Sequence, residues 1–140
     1  MADEFERFRL KKYKHFDLFL HKNQFPYIGR CYAWALRRDA KELTDMNREE
    51  RDELFELIIP LWDESIFVLY EHDRNNVAFF GNDARHLYAH LIPRYDSSRK
   101  RHGIEFVDSN PRGNYSPYPL LEIEDEILIK IRDEIRESLK

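Results

Sequence analysis

This sequence predicts an α+β fold: an antiparallel sheet with helices packed on it. Three observations carry that expectation. The elements read in the order strand, strand, helix, strand, strand, loop, helix. Their connections are too short for repeated right-handed crossovers. At 140 residues, with 42% hydrophobic and 14% aromatic side chains, the chain suits one domain, residues 1–140, around a single core.

The first strand falls in "HFDLFLHKN", where Phe16, Leu18 and Leu20 face one way and Asp17 and His21 the other. "NQFPYIG" supplies the residues of a turn. "RCYAWALR", apolar on both faces, reads as a more buried strand from Arg30 to Arg37 that pairs antiparallel with the first. It holds Cys31, expected as a buried small hydrophobe. In "DMNREERDELFELIIPLWDESIFVLY", Asn47 with Glu50 three residues on has the form of a capping box. Leu54, Phe55, Ile58, Leu61 and Trp62 then recur at helical spacing. Pro60 is expected to kink this helix or end its first half. "RNNVAFFGND" is a short strand closed by the turn Gly81-Asn82-Asp83. "HLYAHLIPRY" follows, then a loop in "DSSRKRHG", a short strand in "IEFVD" and an irregular loop in "SNPRGNYSPYP". From Glu124 to Leu139, Ile127, Ile131 and Ile135 lie on one side with Leu128 and Leu139, an amphipathic helix.

Charged residues make up 36% of the chain, and mean hydropathy is -0.74. The formal net charge of -4 argues against general nucleic-acid binding. Arg94, Arg99, Lys100 and Arg101 nevertheless cluster, either as a patch for a phosphate ligand or as a solvated loop. A single cysteine cannot form an intramolecular disulfide, which fits a reducing compartment. "MADEFERFRLKK" has no apolar core of a signal peptide, and no apolar run reaches the roughly 18 residues of a membrane span. A cytoplasmic protein without a membrane partner is expected.

The stretch "HLYAHLIPRY" carries the candidate chemistry. As a helix it would set His86 and His90 on one face, the spacing of a zinc pair. A turn just before it and Pro93 just after leave little room for a helix, and no third ligand is near, so no metal is expected. As a strand it puts His86, Tyr88 and His90 on one side and Leu87, Ala89 and Leu91 on the other. The outer rings would then stand roughly 13 Å apart, too far to chelate one ion; they would either line a site for an extended polar ligand or form a solvated sheet face.

"HLYAHLIPRY" resembles the signature of the histidine triad family, His-x-His-x-His followed by apolar residues and, in many members, Ile-Pro-Arg. "LHKNQFPYIGRCYAWALRR" is similar to that family's first strand pair, "LTDMNREERDELFELI" to its helix and "NVAFFGND" to the strand before the signature. "GNYSPYP" and the final helix resemble a bacterial branch. The resemblance covers about residues 16–138 and leaves 1–15 as an N-terminal extension. It implies a five-stranded antiparallel sheet with two main helices and a homodimer. It also implies a nucleotide or dinucleotide ligand and no cofactor. Family members cleave phosphoanhydride or phosphoramidate bonds through a nucleotidyl adduct on the middle histidine.

Tyr88 stands at that middle position. By the resemblance, His86 is the histidine that orients its neighbours and His90 the one at the phosphate. Gly81, Asn82, Asn76 and Arg94 join the phosphate contacts, and Asn23 lies near the ribose. Asp39 occupies a place where a further histidine often occurs. A phenol has an ordinary pKa of about 10 and needs a base or nearby cations to attack phosphorus. His86, His90, Arg85 and Arg94 are the local candidates. The favoured expectation is a nucleotide-binding protein with little or no nucleotidyl-histidine chemistry. An active hydrolase or transferase using Tyr88 or another group, and a non-catalytic interaction module, stand as alternatives.

Overall fold

The computed structural model describes residues 5–140. Five strands form one antiparallel sheet: β1 (Arg9–Lys12), β2 (Phe16–Leu20), β3 (Cys31–Ala35), β4 (Arg74–Ala78) and β5 (Tyr88–Arg94). Their order across the sheet is β1-β2-β3-β5-β4. The signature strand β5 therefore lies inside the sheet, between β3 and β4.

Two departures from the sequence expectation concern strands. The sheet's fifth strand is not "IEFVD" but β1, within the segment expected as an extension. Its charged "RLKK" offers little apolar alternation, yet Lys11 and Lys12 pair with Leu18 and Asp17 of β2. "IEFVD" and the expected loop before it form a separate hairpin, β6 (Arg99–Arg101) with β7 (Ile104–Phe106). The turn residues His102 and Gly103 both have positive φ, 53° and 77°. That is the backbone of a type I′ hairpin turn, whose twist matches the strands it joins.

The first long helical unit comprises α1 (Arg48–Asp52), a π-helical stretch Glu53–Ile58, and α2 (Ile59–Tyr70). Its start is the expected capping box: Glu50 N donates to Asn47 Oδ1 at 2.8 Å and Asn47 N to Glu50 Oε1 at 2.9 Å. Pro60 does not end the helix. A proline there lacks the N–H for the carbonyl of Glu56 and crowds it. The widened turn immediately before Pro60 relieves both problems. Within that turn Glu53 accepts from the backbone N–H groups of Lys14 and His15, fastening the β1–β2 connection. The chain closes with α3 (Asp125–Ser138).

Alternation gives the sheet two different faces. One carries Phe16, Leu18, Leu20, Cys31, Ala33, Ala89 and Leu91, all buried in one core with Leu54, Ile58, Trp62 and Ile66 of the first helical unit and Ile131 and Ile135 of α3. Each large side chain buried there contributes about 1.5–3 kcal/mol relative to exposure. Gly29, just before β3, has φ +95°, and a Cβ there would meet Ile66 Cδ1 at 2.8 Å. Trp62 Nε1 donates to its carbonyl at 3.1 Å. The other face carries the alternate residues, and there the candidate site lies. No described helix is long and apolar enough to cross a membrane.

Candidate functional site

Strand register builds the site in two rows. Asp17 pairs with Trp34, and Trp34 with Tyr88, so these three run side by side across β2, β3 and β5. Phe19, Tyr32 and His90 form the adjacent row. His21, Arg9 and His86 extend the same surface, and together these groups line a cleft of about 710 Å³.

The aromatic rings touch one another throughout. Trp34 stacks on His86 with centroids 4.1 Å apart and lies 5.1 Å from Tyr88. Tyr88 is 4.8 Å from His90, and Phe19 stacks on Tyr32 at 5.1 Å. β5 starts only at Tyr88, so His86 sits in the bend before it rather than in the expected strand. Its ring is pinned instead: Nε2 lies 2.6 Å from the carbonyl oxygen of Ala35. A carbonyl only accepts, so Nε2 carries the proton.

Burial sets the electrostatics. Burial first, and the positive charge of Arg30 second, push the His90 imidazole down to about 4. Burial, then Arg30, His90 and Lys22, push His21 down to about 3. Tyr88 moves upward, through burial, then Asp83 and Tyr115. Burial, with smaller contributions from Cys31 and Tyr88, takes Tyr32 up to about 12. At neutral pH the floor of the cleft is therefore uncharged at all four rings. Arg30 is itself buried at 3% exposure. Its Nη1 donates to Tyr118 at 2.7 Å, its guanidinium lies over the Tyr115 and Tyr118 rings, and Nε meets no partner. No carboxylate pairs with it among the described residues.

Arg30 does not itself line the cleft; on residues that do, His90 Nδ1, Asp17 Oδ1 and Arg9 Nε are also buried and unmatched. A buried group without a hydrogen bond costs about 1–3 kcal/mol, so each favours a partner from outside.

Several sequence-derived candidates lie elsewhere. Arg94, expected at the phosphate, is buried, and its five N–H groups meet five acceptors: both oxygens of Asp108, Asn76 Oδ1, and the carbonyls of Gly113 and Asn110. It fastens the segment after β7 to the sheet, and Asn76 is spent on it. Asn82 is exposed in the bend before His86 and lines neither the cleft nor the pocket beside it. Gly81, with φ +63°, lines that pocket of about 200 Å³, together with Lys41, Thr44, His86 and Tyr88. Asn23 does not line the cleft; its backbone N–H donates to Nδ1 of His21, which does. Asp39 is exposed and accepts from Arg37. Arg85 is likewise exposed and lines neither space. His21, Trp34, Tyr32, Asp17, Arg9 and Arg30 were not among the candidates. The signal for three of them was strand parity, which set Asp17 and His21 opposite the core and Trp34 in register with them. Among the described residues no cluster of three or more His, Cys, Asp or Glu could hold a metal ion.

No protein-family model matches the chain, and no curated protein sequence matches it. Solved structures do. A histidine triad protein from Bradyrhizobium japonicum superposes with a TM-score of 0.73 at 17% identity, covering 94% of this chain and 90% of the other. A histidine triad nucleotide-binding protein from Sulfolobus tokodaii gives 0.69 at 19% identity, over 94% and 83%. The diadenosine triphosphate hydrolase of Plasmodium falciparum gives 0.59 at 15% identity, over 94% and 76%.

Proposed function

We propose, for a chain with the histidine triad fold, that it binds a nucleotide in the cleft, with the phosphate beside His90 and Tyr88, and that it performs little or no nucleotidyl-histidine chemistry. The observation that carries this reading is Arg30: a buried guanidinium with no carboxylate partner among the described residues, whose charge adds to burial in holding His21 and His90 unprotonated. An uncompensated buried cation calls for an anion, and a phosphate group supplies it. The names of two similar folds, a nucleotide-binding protein and a diadenosine triphosphate hydrolase, support the same ligand class.

The restriction on chemistry comes from Tyr88. Attack by a phenol requires its deprotonation, and its surroundings oppose that: burial and Asp83 raise its pKa. Arg94, which could have countered them, is committed to Asp108. The neutral ring is left as part of the cleft floor.

A thermal-shift series with AMP, GMP, ADP, diadenosine polyphosphates and phosphate tests the reading. A bound nucleotide raises the melting temperature by mass action. The expected result is a shift with at least one nucleotide that falls in His90→Ala. Loss of one hydrogen bond to a charged phosphate corresponds to about 1.5–3 kcal/mol of binding. No shift with any nucleotide at millimolar concentration would refute nucleotide binding and leave a non-catalytic interaction module.

We further propose a homodimer joined at β4. The two sheet edges differ. The β1 edge is served by α3, whose Arg136 donates twice to the Arg9 carbonyl while Lys11 donates to Leu139. β4 pairs only with β5 in the sheet order, and an open edge invites a second strand. Light scattering at tens of micromolar is expected to give twice the chain mass; the mass of one chain would count against it.

A further inference from the structure

We propose that the strap of residues 113–121 is a self-made cover over Arg30: Tyr118 occupies the guanidinium in the free protein, and a ligand phosphate displaces it. This rests on the nucleotide reading of the same cleft and adds to it how access to the buried cation is controlled.

Arg30 stands two residues before Tyr32 and four before Trp34, and its carbonyl accepts from His21 N at 3.0 Å, so the β2–β3 pairing runs on through it. Its side chain therefore belongs to the face of the cleft, about 6.6 Å along the strand from Tyr32 and one row beyond His90. The cleft stops short of that row because the strap lies on it. The Tyr115 and Tyr118 rings are 5.4 and 5.1 Å from the guanidinium, and Tyr118 Oη accepts from Arg30 Nη1 at 2.7 Å. Tyr115 also stacks on Phe80 at 6.3 Å, and Phe80 is 5.5 Å from His90. The strap thus abuts the His90 end of the cleft through one ring.

The strap is lightly held where it covers Arg30. Arg94 fixes one end at the Gly113 carbonyl, and the buried Ile123 fixes the other. Among the described residues, the hydrogen bonds that tie the stretch between them to the body are the one from Arg30 and one from Tyr27 Oη to the Tyr115 carbonyl at 2.6 Å. Ser116, Pro117 and residues 119–122 are exposed, Leu120 at 75%. Tyr118 is also an incomplete partner for a cation. It offers a neutral hydroxyl and a ring face, and Arg30 Nε stays unmatched. A phosphate brings the missing negative charge and can meet two arginine nitrogens at once. Exchange of Tyr118 for phosphate therefore satisfies the cation, and the few ties of the strap let it happen.

Titration calorimetry with AMP and inorganic phosphate tests this on the full chain. Tyr118→Phe keeps the ring and deletes the competing hydroxyl. It is expected to bind AMP about tenfold more tightly than the wild type, the ratio set by one hydrogen bond to a charged group. In an Arg30→Gln background the same substitution should bring no gain, since the cation it uncovers is gone. A fluorophore on Leu120→Cys reads the displacement itself; the single native cysteine, Cys31, is fully buried, so the new thiol takes the label. Its anisotropy should fall as AMP saturates the otherwise wild-type chain. Equal AMP affinity in the wild type and Tyr118→Phe, or unchanged anisotropy at saturation, overturns the cover while nucleotide binding stands. A gain that persists with Arg30→Gln overturns it as well. If neither AMP nor phosphate binds the wild type or Tyr118→Phe, the cover falls; a melting shift with another nucleotide would still uphold the nucleotide reading.

Discussion

The proposed binding-only reading turns on Tyr88. It stands in the row between Trp34 and the edge of the small pocket, with His90 beside it and His86 turned to the Ala35 carbonyl. The wild type is expected to release little product from an adenosine phosphoramidate or from diadenosine polyphosphates. Tyr88→His restores an imidazole between His86 and His90 and should gain activity, with a nucleotidyl adduct on residue 88 detectable by mass spectrometry of a quenched reaction. An active wild type that Tyr88→Phe silences without loss of binding would make the phenol a participant and overturn the binding-only reading. His21 and His90 bear on a different property. Both are depressed in the folded chain from an ordinary 6.5, to about 3 and about 4. Between those values and 6.5 the unfolded chain binds more protons than the folded one. Their contribution is therefore complete above pH 6.5 and is lost as pH falls toward 4 and then 3. By pH 4.5 each has lost on the order of 2 kcal/mol relative to pH 7. Urea midpoints at pH 7 and 4.5 should fall further apart in the wild type than in His90→Gln or His21→Gln; the same spacing in all three would exclude the two rings as the cause.

At the scale of elements, the helix start and the loop before β3 make the sharpest claims. Asn47→Ala removes one half of the reciprocal cap on Glu50 and should cost about 1 kcal/mol, read as a lower urea midpoint at unchanged slope. Gly29→Ala should cost more. It forces an L side chain onto φ +95° and drives a methyl group against Ile66. These elements were legible because their signals are local: a cap at fixed spacing, alternation in "HFDLFLHKN", and a turn ahead of "HLYAHLIPRY". β1 was not legible, since "RLKK" has one buried residue, Leu10, and its place in the sheet comes from pairing with β2 and from Arg136 on α3. The β6–β7 hairpin did leave a mark in "HG", two residues that can take positive φ, but the surrounding run of arginine and lysine read as loop. The site divides the same way. His86, Tyr88 and His90 share one short segment and were found together. Trp34 and Asp17 belong to other strands, and only the register of β2, β3 and β5 brings them there; Arg30, just before β3, acts on His21 and His90 without lining the cleft. Arg94 was misplaced because sequence shows a cation near the histidines and not the Asp108 carboxylate that occupies it.

For the whole molecule, the sheet separates a face that holds the fold together from a face free to meet a ligand. The chain contains two tryptophans, one on each side of that division. Trp62 is fully buried against the Gly29 carbonyl, within the core. Trp34 lies in the cleft, stacked on His86 and beside Tyr88. The protein therefore carries two built-in fluorophores with separate reporting duties. Emission lost in Trp34→Phe belongs to the indole whose surroundings a nucleotide would alter; the emission that remains follows Trp62 and should shift to the red only when the core opens to water.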